Sequence, residues 1–302
     1  MRLRYLISMI CAGFALSGLL TFPAKAAESN PATLMDKYAA LRLSLVNNAF
    51  NRPLVLDSVQ TANRVTGNAY AVLDVPFSLV NSNLKTPGQL CELVILHINT
   101  KYCRPAGASN PNLMMVNFGK KSAQSMGDTF ALQFVMTTNP PNPNYMRVQL
   151  DAEKGPLGTS NYGISLAAVP LPDGKTFLHL QYAYGFGITG RLAMQAYLST
   201  AGSSKVGFTK ISATSTNPND GNAYVGGMRG AVERNTMRYY LAIDAYLKSL
   251  SAPASQQLDN RLEKWFDSTE QYPLQLRETD KASYLSMKKD EIERQNKGAP
   301  QI

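Results

Sequence analysis

Short stretches in which apolar and polar residues alternate fill the middle of the chain, and this period of two is typical of β-strands. Turn-forming residues separate the stretches, as at residues 139–142 (Asn-Pro-Pro-Asn) and 172–174 (Pro-Asp-Gly). The pattern predicts a long antiparallel meander with strands over residues 54–64, 68–76, 92–102, 113–118, 129–138, 145–152, 162–169 and 176–184.

Apolar residues spaced three and four apart predict helices on both sides of this meander. Leu34, Tyr38, Leu41 and Leu45 place an amphipathic helix over residues 31–48. Residues 77–91 contain the Ser, Asn, Thr and Gly residues that are typical of short helices and turns. Further helices are predicted over residues 191–199 and 227–250.

The helix over residues 227–250 carries a single apolar stripe, which should pack against the sheet. Arg234, Arg238, Leu241 and Lys248 fall on its far side. A curved antiparallel sheet wrapped around one long C-terminal helix is an α+β arrangement, and it tends to leave a cavity between sheet and helix. The stripe consists of Val232, Thr236, Tyr239, Tyr240, Ile243, Tyr246, Leu247 and Leu250.

The last fifty residues form a helical extension to this arrangement. Residues 255–297 are predicted as two helices broken near Pro273. An apolar stripe in the first of them should dock on the domain, although recruitment of a partner is an alternative. The end of the chain, from Lys288 to Lys297, is expected to be a solvated charged segment. The docking stripe consists of Leu258, Leu262, Trp265 and Phe266.

The order of these elements resembles the START and polyketide-cyclase-like helix-grip superfamily. Residues 68–76 (Asn-Ala-Tyr-Ala-Val-Leu-Asp-Val-Pro) resemble its first strand and the entry into its short helices, and the match covers roughly residues 50–250. The resemblance implies a START-like ligand cavity, most often for lipids, sterols or aromatic polyketides. The chain departs from the pattern in an additional helix and loop over residues 190–226 and in its charged tail.

The N-terminus has the pattern of a secretory signal peptide. Arg2 and Arg4 precede an apolar run, and Ala24-Lys25-Ala26 provides a cleavage site. The predicted organisation is a signal peptide at residues 1–26, an N-terminal helix at 27–49, a START-like domain at 50–252 and a helical extension at 253–302. We therefore expect a periplasmic or secreted protein of Gram-negative type; an uncleaved membrane anchor is the alternative.

The charge of the chain limits which macromolecules it is expected to bind, and its cysteines predict a disulfide. Cleavage would remove Arg2, Arg4 and Lys25, so the net charge would fall by three, from +9 to +6. Because the remaining basic residues are scattered, no nucleic-acid surface is expected, and only transient contact with an anionic membrane surface is compatible. Cys91 and Cys103 would then be the two remaining cysteines, and an oxidising compartment favours a disulfide between them over a zinc site.

Signatures of catalysis are weak. Residues 185–190 match G-x-G-x-x-G, but the surrounding antiparallel strands offer no βαβ unit, which favours a tight turn over dinucleotide binding. His97 and His179 each lie in a predicted strand and could point into an apolar cavity or be hydrogen-bonded structural histidines. No metal or other cofactor is predicted.

The first turns of the long helix contain the most unusual segment. Arg229 projects onto the apolar arc with Glu233 one turn later, so it would either meet a ligand head group or pair with Glu233. Tyr240 lies on the apolar stripe, and Tyr182 and Tyr184 share a strand face with leucines; these tyrosines could contact a ligand or simply fill the core.

These observations predict binding or shuttling of a lipid or other hydrophobic small molecule in an internal cavity. Cyclase- or aromatase-like chemistry in that cavity is a second hypothesis, and a histidine or tyrosine converging with Arg229 or Glu233 would favour it. A non-catalytic envelope interaction module, with a cavity filled by side chains, is a third. The candidate ligand-binding residues are His97, His179, Tyr182, Tyr184, Arg229, Glu233 and Tyr240.

Overall fold

The computed structural model describes residues 30–199, 205–211 and 223–298. The predicted signal peptide and the middle of the loop before the long helix lie outside the described residues. None of the described helices is both long enough and apolar enough to cross a bilayer.

Eight strands form one sheet in which every neighbouring pair is antiparallel, in the order β1-β2-β8-β7-β6-β5-β4-β3. The jump from β2 to β8 places the last strand in the middle of the sheet. The strands are β1 (Leu54–Gln60), β2 (Arg64–Leu73), β3 (Thr100–Pro105), β4 (Leu113–Phe118), β5 (Phe130–Thr138), β6 (Met146–Lys154), β7 (Thr159–Pro170) and β8 (Thr176–Phe186).

Helices precede, interrupt and follow the sheet. Two short 3₁₀ turns, Met126–Asp128 and Pro156–Gly158, occur in the connections β4–β5 and β6–β7. The α-helices are α1 (Pro31–Val46), α2 (Phe77–Asn83), α3 (Pro87–Val94), α4 (Ile188–Ser199), α5 (Gly227–Ser249), α6 (Ala254–Glu270), α7 (Pro273–Leu276) and α8 (Lys281–Lys297).

The sheet has an inner face against α5 and an outer face against α1. Along β8, Leu178, Leu180 and Tyr182 belong to the main core that contains α5, whereas Phe177 belongs to a separate core with Leu34 of α1. This alternation follows from the two-residue period of a strand. The α+β helix-grip arrangement predicted from the sequence is confirmed.

The long helix α5 is buried on nearly its whole circumference. It contacts β1, β2 and β8 on one side and α6 on the other. An added Cβ on Gly67 of β2 would lie 2.4 Å from Thr236 Oγ1, so this glycine permits the close approach of helix and sheet. Arg234 and Arg238, predicted on the far side, are buried as well. Arg238 is covered by the C-terminal extension and donates to the carbonyl oxygen of Leu276, whereas Arg234 donates to the carbonyl oxygen of Val206 in the segment before α5.

The segment 92–102, predicted as a strand, is instead the end of α3, a turn and the start of β3. Thr86 caps α3 through a capping box with Gln89, and Pro87 opens its first turn, so local signals favour a helix here. Cys91 of α3 and Cys103 of β3 form the expected disulfide, which fixes this turn against the sheet.

The extension packs as predicted at α6 but not at its end. Leu262, Trp265 and Phe266 are buried against the core, and Trp265 Nε1 donates to Arg238 O at 3.1 Å. The expectation that the chain is solvated from Lys288 onward is wrong, because Lys288 and Glu291 are buried under β3 and the turn before it.

Candidate functional site

A cluster of aromatic and polar side chains lies between the inner face of the sheet and α5. The rings of Tyr182 and Tyr184 on β8 are 5.8 Å apart, and Tyr162 of β7 lies 5.4 Å from Tyr184. Tyr239 of α5 is 5.5 Å from Tyr182, and His97 is 4.7 Å from Tyr239. We call these five residues, together with Asn235 one helical turn before Tyr239, the inner cluster.

His97 lies in the turn between α3 and β3, which brings it against α5. Its Nδ1 accepts a hydrogen bond from the backbone N–H of Asn99 at 3.2 Å. Nε2 is buried without a hydrogen bond of good geometry among the described residues, and the Asn235 side chain is a polar group beside the ring. Burial, assisted by the nearby charges of Arg238 and Lys288, holds the His97 pKa well below its usual range. The imidazole is therefore neutral at pH 7, and it lies beside the polar side chain of Asn235.

The tyrosines of the inner cluster are neutral hydrogen-bonding groups as well. Burial raises the pKa of Tyr182, Tyr184 and Tyr239, and the neighbouring Tyr162 raises each of these pKa values further. Tyr182, Tyr184 and Tyr239 belong to the continuous apolar core of sheet and helix. Asn235 and Tyr162 are half-buried, so the cluster is most accessible from their side. Uncharged polar groups in an apolar setting are typical of sites for small hydrophobic molecules.

A separate hollow lies on the other side of the sheet. It has a volume of about 500 Å³, is open to solvent, and occupies the outer face near the end of β5 and the start of β6. Thr137, Tyr145, Arg147 and Gln149 line it, together with Asn30 at the start of α1. Its polar lining differs from the predicted apolar cavity.

His179 does not face α5; of the two alternatives left open by the sequence, it is the hydrogen-bonded structural histidine. Its ring stacks on Tyr70 with centroids 4.3 Å apart, and Nε2 lies 3.0 Å from Asn68 Oδ1 on the outer face. Asn68 in turn donates to Asp57 Oδ1 at 2.7 Å. His179 and Tyr182 have opposite parity on β8, so they lie on opposite faces of the sheet.

The half-buried position of His179 predicts a pH dependence of stability. Burial, with a contribution from Lys37, lowers its pKa from 6.5 to about 4. Between these two pH values the unfolded chain binds a proton at this histidine and the folded chain does not, so stability falls as the pH is lowered through this window. In urea unfolding at pH 7 and pH 5, His179→Gln should lose less stability on acidification than the wild type. An equal loss would contradict this assignment.

Arg229 and Glu233 form a separate cluster near the start of α5. Arg229 Nε donates to Ser58 Oγ at 3.1 Å, and Ser58 Oγ donates to Glu233 Oε1 at 2.6 Å. Ser58 of β1 therefore bridges Arg229 and Glu233, which were expected to pair directly. Glu233 also accepts hydrogen bonds from the backbone N–H groups of Phe208 and Thr209. This carboxylate thereby holds the segment 205–211 against α5.

Tyr240 lies in a third place, beside Arg52. Burial raises the pKa of Tyr240, with Asp244 contributing, and the Arg52 guanidinium is 5.8 Å from its ring centroid. The structure therefore brings His97, Tyr182 and Tyr184 together and separates them from His179, Tyr240, Arg229 and Glu233. Asn235 and Tyr162 were missed as site residues; the spacing of Asn235 four residues before Tyr239 is the signal that could have identified it.

The glycine motif at residues 185–190 joins β8 to α4. Gly190 packs so closely on Gly158 that an added Cβ would lie 2.6 Å from Gly158 O. Because β8 runs antiparallel to both of its neighbours, this geometry agrees with a tight connection and lacks the parallel strands of a dinucleotide site.

No family model matches the chain, and no curated protein sequence matches it significantly. The search of solved structures gives a START superfamily protein from Mycobacterium smegmatis at 10% identity and a TM-score of 0.36, covering 63% of this chain and 99% of that one. Human StAR-related lipid transfer protein 5 aligns at 10% identity and a TM-score of 0.38, covering 74% and 98%.

A point mutant of norcoclaurine synthase from Thalictrum flavum aligns at 13% identity and a TM-score of 0.34, covering 47% of this chain and 89% of that one. These superpositions carry no functional inference. The strand order, with the last strand beside β2 and the long helix against the sheet, identifies the fold as START-like helix-grip.

Proposed function

We propose that this chain binds a hydrophobic small molecule, with lipids as the leading class, between the inner face of the sheet and α5. The observation that carries the proposal is the convergence of His97, Asn235, Tyr182 and Tyr239 within an apolar core, where the Asn235 side chain lies beside both His97 and Tyr182. Apolar contact contributes about 25 cal/mol per Å² of buried surface, and the polar groups would orient a hydroxyl or carbonyl of the ligand.

We further propose that binding takes place outside the cytoplasm. The signal-like N-terminus supports export, and the Cys91–Cys103 disulfide is the kind of bond that persists in an oxidising compartment. A hydrophobic cargo is poorly soluble in the aqueous periplasm, where a protein that shields it would serve as a carrier.

Acid–base chemistry on the bound molecule is a second candidate, favoured by the neutral His97 beside the phenol of Tyr239. Convergence of a histidine or tyrosine with Arg229 or Glu233, which would have strengthened this candidate, is not formed. Arg229 lies ten residues before Tyr239 on α5, a distance of about 15 Å along the helix axis. Binding without turnover therefore remains the leading proposal.

Removing polar groups of the inner cluster should weaken ligand binding. Tyr182→Phe and Asn235→Leu each keep the approximate size of the side chain but delete a hydrogen-bonding group, so each should raise the Kd of the neutral, carbonyl-bearing fluorescent probe 6-propionyl-2-dimethylaminonaphthalene by about tenfold. Fluorescence titration of the full chain measures this, and native mass spectrometry of the purified protein reports any co-purifying lipid.

Tyr70→Phe is the matched control, because this tyrosine lies on the outer face of β2 and should leave the Kd unchanged. A wild-type chain that binds neither the probe nor any lipid would overturn the proposal. Equal Kd values for the wild type and both inner variants would place the ligand elsewhere.

A further inference from the structure

Three large apolar side chains are exposed together at one end of the sheet. On α4, Ile188 is 82% exposed and Leu192 is 62% exposed. Leu157, in the turn between β6 and β7, is 49% exposed. We call Leu157, Ile188 and Leu192 the apolar tip. Exposed apolar side chains that cluster are characteristic of protein or membrane interaction sites.

The two elements of the apolar tip are held against each other. The backbones of Gly158 and Gly190 are in close contact, which joins the β6–β7 turn to the start of α4. Arg191 donates a hydrogen bond to the carbonyl of Ala62 in the β1–β2 turn and lies over the ring of Phe186. The apolar tip is therefore a defined surface on packed elements.

The backbone at Leu157 indicates that its side chain is needed there. Its φ of +57° and ψ of +31° place it in the left-handed region, which is unfavourable for a leucine. The other described residues with positive φ, glycines aside, are Asn51 and Asn161, and asparagine tolerates this conformation well. A half-exposed leucine at such a position does not stabilise the turn.

Exposed cations lie beside the apolar tip. Arg64, Lys154 and Arg191 are exposed on the connected turns and on α4, and Asp151 and Glu153 of β6 are exposed acidic residues nearby. Three cations against two anions leave a local excess of one positive charge, which adds to the positive net charge of the whole chain. Apolar side chains flanked by Lys and Arg match the chemistry of a bilayer that contains anionic lipids.

We propose that the apolar tip docks on the surface of a membrane containing anionic lipids. The side chains of Leu157, Ile188 and Leu192 enter the interfacial region, and the neighbouring cations attract the head groups. The proposal does not depend on the ligand site, because membrane binding by the full chain is measurable without any ligand.

Co-sedimentation of the full chain with vesicles tests the docking directly. We expect binding to vesicles of phosphatidylcholine with phosphatidylglycerol and much weaker binding to phosphatidylcholine alone. The double variant Ile188→Ser with Leu192→Ser should bind at least tenfold more weakly, since two apolar side chains no longer enter the interface. Leu43→Ser is the matched control, because Leu43 is 79% exposed on α1, away from the apolar tip, and should leave binding unchanged.

Leu157→Asn separates docking from folding. The substitution relieves the left-handed leucine, so it should raise the melting temperature by about 2 °C or more and at the same time weaken vesicle binding. The proposal would be overturned if the wild-type chain bound neither kind of vesicle, or if the double variant bound vesicles as well as Leu43→Ser does. Capture of a soluble protein by the wild type but not by the double variant, without vesicle binding, would assign the surface to a protein partner instead.

Discussion

Replacing Glu291 by leucine is expected to destabilise the folded chain by about 3–5 kcal/mol, because it would leave two lysines buried without a counter-charge. Lys101 and Lys288 are each 0% exposed, and Glu291 is 2% exposed. The carboxylate lies 3.0 Å from Lys101 Nζ through one oxygen and 2.7 Å from Lys288 Nζ through the other.

The two lysines also fix the turn that carries His97. Lys288 Nζ donates to the carbonyl oxygens of His97 and Thr100 at 2.8 and 2.7 Å, and Lys101 Nζ donates to the carbonyl oxygen of Ile98 at 3.2 Å. Helix α8 therefore holds the α3–β3 turn in place through buried charge. Loss of Glu291 should loosen that turn together with the inner cluster.

Lys288→Met is the control that separates lost charge balance from lost packing. It keeps one lysine with one glutamate, retains much of the apolar stem, and removes the amine whose pKa burial already lowers to about 8. We expect it to cost less than half as much as Glu291→Leu in urea unfolding at pH 7. Equal costs for the two variants, or a cost below about 1 kcal/mol for Glu291→Leu, would contradict the role assigned to this carboxylate.

The sheet could be predicted from the sequence because strand alternation and turn residues are local signals. Seven of the predicted strands coincide with observed ones, although the boundaries of the first two differ from those of β1 and β2 by three to four residues. The eighth, residues 92–102, failed because a short apolar run fits both a strand and a buried helix end, and the capping box at Thr86 outweighed the strand pattern. His179 and Tyr182 are three residues apart on one strand, so the sequence alone already places them on opposite faces of the sheet.

Contacts between distant segments could not be predicted. The burial of Lys288 depends on Lys101 and on carbonyl groups 188 and 191 residues earlier in the chain. In the same way, the amphipathic pattern of α5 predicts its sheet-facing side, whereas Arg238 is covered by the docked extension and Arg234 packs on the segment 205–211. The site was therefore predicted in Tyr182, Tyr184 and His97, but not in Tyr162 and Asn235 beside them.

A second large effect is expected at Glu233, whose carboxylate is 0% exposed and accepts four hydrogen bonds. Glu233→Leu would leave the backbone N–H groups of Phe208 and Thr209 and the hydroxyls of Ser58 and Thr209 without their acceptor. Each buried donor left unsatisfied costs about 1–3 kcal/mol, so the total should reach about 3 kcal/mol or more. Urea unfolding of the full chain measures this loss.

Limited proteolysis shows which segment loosens when the Glu233 carboxylate is lost. Lys205 and Lys210 lie in the segment that Glu233 holds against α5, so trypsin should cleave there much faster in Glu233→Leu than in the wild type. Arg229→Met is the matched variant, since Arg229 is half-buried and reaches Glu233 only through Ser58; it should cost less than about 1 kcal/mol. If Arg229→Met were as damaging as Glu233→Leu, or if cleavage at the two lysines were unchanged, the carboxylate would not be the anchor of this segment.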